Sequence, residues 1–197
     1  MTSAQVLIWF FKEQKSILLL KKAFNEIQAN NQKRLARFPS TANNVAESFD
    51  TYVNYLERSY GMYRLVEYIQ YECSSAIRNQ MGYKYSIEAC KKIEDEFAPL
   101  MNKWRYFISH NLFTDSIKVG DNLYFDWYTN GTFGLKEITI NEVQLSRGII
   151  RGITNLYNKD ASYRLWMNSL KDKNGNLIKF DFYIKRRGGV YYGANNK

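Results

Sequence analysis

The sequence has very little of the residue types that most enzymes use for chemistry. Its 197 residues include one histidine and two cysteines, too few for a zinc site of the usual kind and too few for a recognisable nucleophilic triad. No glycine-rich phosphate loop of the Walker or dinucleotide type is present. Two cysteines cannot form a disulfide framework, so Cys73 and Cys90 are interpreted as core thiols in a reducing compartment. The sequence therefore predicts no metal and no cofactor.

Proline and long apolar runs are scarce as well. With two prolines and eleven glycines, the chain has no composition typical of disorder or of a flexible linker. The apolar stretch near the start is interrupted by Lys12, Glu13 and Lys15, and a bilayer span takes about 20 apolar residues. It also has no signal-peptide cleavage site. We therefore expect a cytoplasmic protein with no membrane anchor.

Positive charge and aromatic rings are what the sequence has in excess. Lysine and arginine number 28 against 19 acidic residues, which gives a formal net charge of +9, and 16% of the residues are aromatic. A basic balance of this size favours an anionic partner, most often RNA or another nucleic acid and less often a membrane surface.

Apolar residues recur at helical spacing through the N-terminal half. The pattern predicts three long helices, over about 3–37, 45–79 and from Ser86 to Ile108. Gly61 lies inside the second helix, where it costs about 1 kcal/mol relative to alanine, and Gly82 ends that helix. Pro99 should kink or break the third helix. Long helices with short connections predict a bundle of antiparallel helices over 3–112.

After residue 113 the sequence becomes rich in aromatic and β-branched residues. Two such runs around Asn130 and Gly131 predict a β-hairpin over 123–138. Thr139 and Glu142 have capping-box spacing and predict a helix over 140–157, in which Gly148 and Gly152 would let another helix approach closely. The elements expected after it are a short helix beginning at Asp160, a strand over 177–185, a turn at Arg186–Gly189 and a short strand over 190–192.

These patterns predict a mainly α, α+β protein in which short β-hairpins are appended to the bundle. We expect a single domain over 1–197, with the helical bundle at 3–112 and a C-terminal subdomain at 117–197.

The single histidine follows an arginine on the third helix. Arg105 and His110 have four residues between them. An imidazole can take a proton from a ribose 2′-hydroxyl, and a nearby guanidinium can stabilise the charge that builds on the phosphate. Together these groups suffice to cleave RNA to a cyclic phosphate without a metal. The alternative interpretation is that His110 bonds the last helix carbonyls and Arg105 lies on a solvated face.

The segment Arg105-Tyr-Phe-Ile-Ser-His110 resembles the Arg-X4–6-His motif of the HEPN superfamily, the helical ribonucleases and nucleotide-binding proteins of toxin–antitoxin and phage-defence systems. The expected helices before it, and the hairpin and helix after it, resemble that family's context. The resemblance implies a metal-independent endoribonuclease, or an inactive relative, with a protein antitoxin or defence partner. Arg105 and His110 would be the catalytic pair in a cleft between the protomers of a homodimer. Residues five apart point about 140° from each other on a regular helix, so the pair would converge where the helix loosens or where a second protomer supplies one half.

Basic and aromatic residues also cluster towards the C-terminus. The candidates for phosphate contact are Arg147, Arg151, Lys185, Arg186 and Arg187, and Tyr183 could stack on a base. The alternative is that these charges guard a strand edge against pairing with other chains. The alternative function is a non-enzymatic basic nucleic-acid-binding or inhibitory protein of a phage or mobile element.

Overall fold

The computed structural model of the protein describes residues 1–37, 48–129, 131–156, 159–185 and 191–192. Contacts within the chain divide it into a helical unit, Ser3–Phe107, and a C-terminal unit that combines Met1–Thr2 with Ile108–Lys197. The helical unit contains the α-helices apart from the last three residues of the final one, and the described part of the C-terminal unit is built mainly from antiparallel strands. The prediction of an α+β protein is confirmed.

The helices bury the apolar residues that recur at helical spacing. They are α1 (Ser3–Glu13), α2 (Ile17–Arg37), α3 (Phe49–Tyr60), α4 (Leu65–Met81) and α5 (Tyr83–His110). Helix α1 packs against α3, and α2 packs against α4. At the centre of the core, the fully buried Trp104 donates a 2.8 Å hydrogen bond from Nε1 to the Met62 carbonyl and contacts the Phe10 ring edge-on. Cys73 and Cys90 are buried free thiols, as predicted.

The first predicted helix is in fact two helices, separated at Lys15. This residue has a φ of 54°, in the left-handed region that ends many helices. The Lys15 amide bonds the Lys12 carbonyl and the Ser16 amide bonds the Phe11 carbonyl, which together close α1 before α2 begins. The prediction of one helix over 3–37 was wrong, because a local capping motif ends the helix within a continuous apolar pattern.

The second and third predicted helices also differ from expectation. Gly61, with φ 75° and ψ 161°, separates α3 from α4, with a 3-10 turn at Met62–Arg64 after it, so the uninterrupted helix was wrong. Gly82 ends α4 as predicted. Helix α5 begins at Tyr83 and continues through Pro99 without a break. Pro99 is on the exposed side of α5, where water can satisfy the carbonyl that loses its partner.

The strands form two antiparallel sheets. They are β1 (Leu112–Thr114), β2 (Asn122–Thr129), β3 (Thr132–Gln144), β4 (Ile149–Leu156), β5 (Lys159–Trp166), β6 (Phe182–Lys185) and β7 (Tyr191–Tyr192). The order in the small sheet is β1-β6-β7, and in the large sheet β2-β3-β4-β5. The hairpin predicted at Gly131 is confirmed, because β2 and β3 pair on either side of it. The core under the large sheet consists of Ile117, Phe125, Ile138, Ile140, Ile150, Met167 and Leu170.

The helix predicted over 140–157 was wrong. Residues 140–144 belong to β3, and 149–156 form β4, whose side chains alternate between buried and exposed. The segment is rich in β-branched residues, which favour strands. Its second part, β4, pairs with β3 on one side and with β5 on the other, and this pairing outweighs the local capping-box signal. The short helix predicted from Asp160 was wrong for the same reason, since Asp160 lies in β5.

The strand predicted over 177–185 is present only in its last part, Phe182–Lys185. Leu177 makes an isolated bridge with Lys171, and the Asp181 amide bonds the Ser116 hydroxyl, so the earlier backbone groups have other partners. The final strand, Tyr191–Tyr192, is confirmed, whereas Val190 and the turn expected at Arg186–Gly189 lie outside the described residues. No helix in the described ranges has both the length and the apolar character needed to cross a membrane.

Candidate nucleic-acid interface

The small sheet presents an aromatic and basic surface. Phe113 on β1 lies directly opposite Tyr183 on β6, and its side chain is exposed even though neighbouring Leu112 is buried. Lys185 lies two residues beyond Tyr183 on the same face, with its Nζ 5.8 Å from the centroid of the Phe113 ring. The Asn111 side-chain amide donates 3.1 Å to the Lys185 carbonyl, which fixes the start of β1 against β6. A cation thus lies over a partly exposed ring.

A groove of about 600 Å³ borders Phe113 within the C-terminal unit. Its walls come from the end of α5, from β1, from the end of β3 and from the 3-10 turn that follows. Pockets that bind small ligands commonly measure about 300–1,000 Å³. The lining combines apolar and polar residues: Ile108, Ser109, Leu112, Phe113, Val143, Gln144, Leu145, Ser146 and Arg147.

Arg147 reaches this groove because of the turn that joins β3 to β4. It is the exposed last residue of the 3-10 turn Leu145–Arg147. Gly148 follows with a left-handed φ of 65°, and its carbonyl accepts a 2.8 Å hydrogen bond from the Met167 amide at the end of β5. Three of the predicted nucleic-acid contacts, Arg147, Tyr183 and Lys185, are therefore brought together around Phe113.

Arg151, a fourth predicted contact, lies on the exposed face of the large sheet instead. Glu142 on β3 and Arg164 on β5 are directly opposite it. The Arg151 Nη1 is 3.1 Å from Glu142 Oε2, and Glu142 Oε1 accepts a 2.6 Å hydrogen bond from the Gln144 amide. Trp166, two residues beyond Arg164 on the same face, is 46% exposed. Arg151 thus forms an ion pair with Glu142. Together with Arg164 and Trp166 it makes a second group of basic and aromatic residues, away from Phe113.

Arg105, the arginine of the predicted catalytic pair, belongs to the helical unit. Its Nη2 lies 2.9 Å from Glu67 Oε2, and its guanidinium carbon lies 5.3 Å from the centroid of the Tyr63 ring. Arg64 binds the same carboxylate through Nε and Nη2, at 3.1 and 2.7 Å. The hydrogen bonds and charge of Arg64, with a smaller contribution from Arg105, lower the pKa of Glu67. Two guanidinium groups therefore share one ionised carboxylate, an arrangement that explains this position of Arg105 without catalysis.

His110 is the last residue of α5, and it is exposed. It belongs to the C-terminal unit, next to the Asn111 that bonds Lys185. Helix α5 is assigned as helical up to this residue, so no loosened segment separates His110 from Arg105. Convergence of the pair through a second protomer stays a prediction.

Two further predicted contacts, Arg186 and Arg187, lie outside the described residues. Sequence reasoning missed Phe113, Arg164 and Trp166. For the last two a signal was present, because Ala161, Tyr163 and Leu165 alternate with Ser162, Arg164 and Trp166 at the two-residue period of a strand. Phe113 carries no such signal, since its role depends on a strand pairing that is remote in sequence.

These observations define an α+β protein whose strand-built unit carries a groove lined in part by Phe113 and Arg147, with Lys185 beside Phe113. In comparisons with known proteins, the chain matches no family model, no curated protein and no solved structure at a significant level. The resemblance to the HEPN superfamily therefore stays a prediction. No group of three or more His, Cys, Asp or Glu side chains in the described part of the chain is placed to hold a metal ion.

Proposed function

We propose that the protein binds single-stranded nucleic acid through the groove beside Phe113. The observation that carries the proposal is the position of the Phe113 ring, which is 39% exposed, faces Lys185 and lines the same groove as Arg147. Single-strand binding proteins combine positive charge along the backbone path with aromatic rings on which bases stack. Both requirements are met here within one unit.

The charge of the whole chain supports the same partner. A net charge of +9 raises the local concentration of polyanions and speeds their association. Contacts to phosphates release counterions, so binding should weaken steeply as salt rises. A single strand fits better than a duplex, because an aromatic ring that lines a groove can stack only on a base that is already unpaired.

The test is the affinity of purified protein for fluorescein-labelled oligouridylate and oligothymidylate, measured by anisotropy over a salt series. Phe113→Ala should weaken binding by about 5- to 150-fold, the equivalent of about 1–3 kcal/mol for one stacked base. Lys185→Gln should lower the slope of log affinity against log salt by about 0.7, the value for one phosphate contact on a single strand.

Phe133→Ala is the matched control. Phe133 is 81% exposed in the same unit, near the β2–β3 turn, and packs against the Tyr128 ring in a tilted arrangement rather than lining the groove. Its loss should leave the affinity unchanged. Binding that is absent at low salt, or that Phe113→Ala and Phe133→Ala change equally, would contradict the proposal.

Cleavage of the bound RNA is a second candidate function. The observation that favours it is the position of His110, exposed and adjacent to the Asn111 that holds Lys185 beside Phe113. In this proposal His110 takes the 2′-hydroxyl proton, the 2′-oxygen attacks the phosphorus, and the 5′-oxygen leaves and takes a proton from water, while Arg105 from the second protomer of a homodimer stabilises the charge on the phosphate. RNA incubated with the protein in EDTA should yield cyclic-phosphate ends, and His110→Ala should abolish them. Equal cleavage by wild type and His110→Ala would exclude the assignment, and neither result depends on the binding test.

A further inference from the structure

The exposed face of the large sheet carries two arginines side by side. Arg151 and Arg164 are directly opposite each other on β4 and β5, and residues in this relation have Cβ atoms about 4.5–5.5 Å apart. Like charges in direct opposition destabilise a sheet. Glu142 neutralises one of the two charges through its 3.1 Å ion pair with Arg151. Among the described residues, no carboxylate forms an ion pair with Arg164. This row of the sheet therefore has one positive charge in excess.

An aromatic side chain lies next to this excess charge. Trp166 is two residues from Arg164 on the same strand and face, a separation of about 6.6 Å at the rise of a strand. That distance is comparable with the one between a phosphate and its base in a nucleotide. Neighbouring side chains on one face of a strand can thus contact the two ends of one nucleotide, with phosphate on the Arg164 guanidinium and base on the Trp166 indole.

The two arginines also adjoin the groove. Gln144 lines the groove, and its side-chain amide donates a hydrogen bond to Glu142. Glu142 in turn forms the ion pair with Arg151. At the far end of the same face the charge changes sign, with Glu137 on β3 and Asp160 on β5 both exposed. A polyanion would therefore be attracted where the face meets the groove and repelled further along it.

We propose that a single strand of nucleic acid continues from the groove onto this face, with one phosphate held by Arg164 and Arg151 and one base stacked on Trp166. The inference rests on the proposed function and extends it by one nucleotide site. The acidic side chains beyond the two arginines make this the last site in that direction.

The experiment compares oligouridylates of about 4 and about 12 nucleotides, a short and a long length within the range of single-strand site sizes of about 4–16 nucleotides. Arg164→Gln should weaken binding of the longer one about tenfold at low salt and lower its salt slope by about 0.7, with little effect on the shorter one. Glu142→Gln should tighten binding of the longer one, a gain that misfolding cannot produce. Trp166→Phe should remove part of the tryptophan quenching caused by the longer oligonucleotide.

Lys159→Gln is the charge-matched control, because Lys159 lies on β5 but on the opposite face of the sheet. Suppose that Arg164→Gln and Lys159→Gln change the affinity for the longer oligonucleotide equally, and that Glu142→Gln does not raise it. If Phe113→Ala still weakens binding, the site at Arg164 and Trp166 is refuted, whereas binding in the groove is supported. If wild type binds neither oligonucleotide, the proposed function fails and this inference fails with it.

Discussion

Replacing Gly152 with alanine tests the strand that carries Arg151. Gly152 is buried on the core side of β4, directly opposite Ile140 on β3. A Cβ atom at this position would lie 2.5 Å from the Ile138 Cγ1 and 2.6 Å from the Thr139 carbonyl oxygen. The carbonyl is part of the β3 backbone and cannot rotate away as a flexible side chain can. Alanine at 152 must therefore push β3 and β4 apart.

The magnitude follows from the cost of adding a methyl group to a packed core, about 1–3 kcal/mol. In a chain of this length 1 kcal/mol corresponds to about 2–4 °C in Tm. We expect Gly152→Ala to lower Tm by about 2–12 °C. A helix over 140–157 would reverse the sign, because alanine in place of glycine stabilises a helix interior by about 1 kcal/mol. The substitution thus distinguishes the strand pair from a helix by the sign of the change in Tm as well as by its size.

Thermal unfolding followed by far-UV circular dichroism measures the effect, with Gly134→Ala as the matched control. Gly134 lies on β3, has no positive φ, and a Cβ there meets nothing within 4 Å. Alanine at 134 should leave Tm unchanged or raise it, since it restricts the unfolded chain. A Tm for Gly152→Ala at or above that of wild type would refute the register of β3 against β4.

Two further predictions concern a half-buried carboxyl and a buried thiol of the helical unit. Burial raises the pKa of the Glu72 carboxyl, against a smaller opposing effect of Arg34. Ionisation of Glu72 therefore destabilises the folded protein at pH values above the raised pKa, and it has no such effect below the unfolded pKa of about 4.3. Glu72→Gln should therefore raise Tm at pH 7 and lose that advantage as pH falls to about 4; an equal gain at both values would point to packing instead. Burial also raises the pKa of the Cys73 thiol to about 12, so native protein at pH 8 should not react with Ellman's reagent, whereas both cysteines should react in denaturant. Rapid labelling of the native protein would contradict the buried position.

The helical unit was predictable where its determinants are local. Apolar spacing of three and four identified many of the buried positions of α3, α4 and α5, because a helix presents one face to the core whatever surrounds it. The breaks were harder to predict. For Gly61 the sequence offered only the low helix propensity of glycine, which does not decide whether a helix breaks. Lys15 adopts a left-handed conformation that is uncommon for any residue with a side chain. A helix end of that kind is decided by backbone hydrogen bonds that no single residue type announces.

In the C-terminal unit, by contrast, pairing between strands outweighed the local signals of the sequence. Thr139 and Glu142 satisfied a local rule for starting a helix, yet both became part of β3. The partners of β4 are Thr139–Gln144 before it and Lys159–Trp166 after it, and that pairing satisfies the backbone while alternate side chains enter the core. Propensity and capping amount to about 1 kcal/mol each, whereas a paired strand gains hydrogen bonds along its whole length.

By itself, the sequence determined the chemistry available to this protein: a basic chain rich in aromatic residues, with one histidine and no cluster of metal ligands recognisable from spacing. It also identified Arg147 and Lys185 as candidates for phosphate contact and Tyr183 as a candidate for stacking on a base. The tertiary structure alone decided that these three meet at Phe113 and that Arg105 binds Glu67 instead. The reason is that β1 and β6 are remote in sequence, and pairing between remote strands depends on the packing of the whole unit.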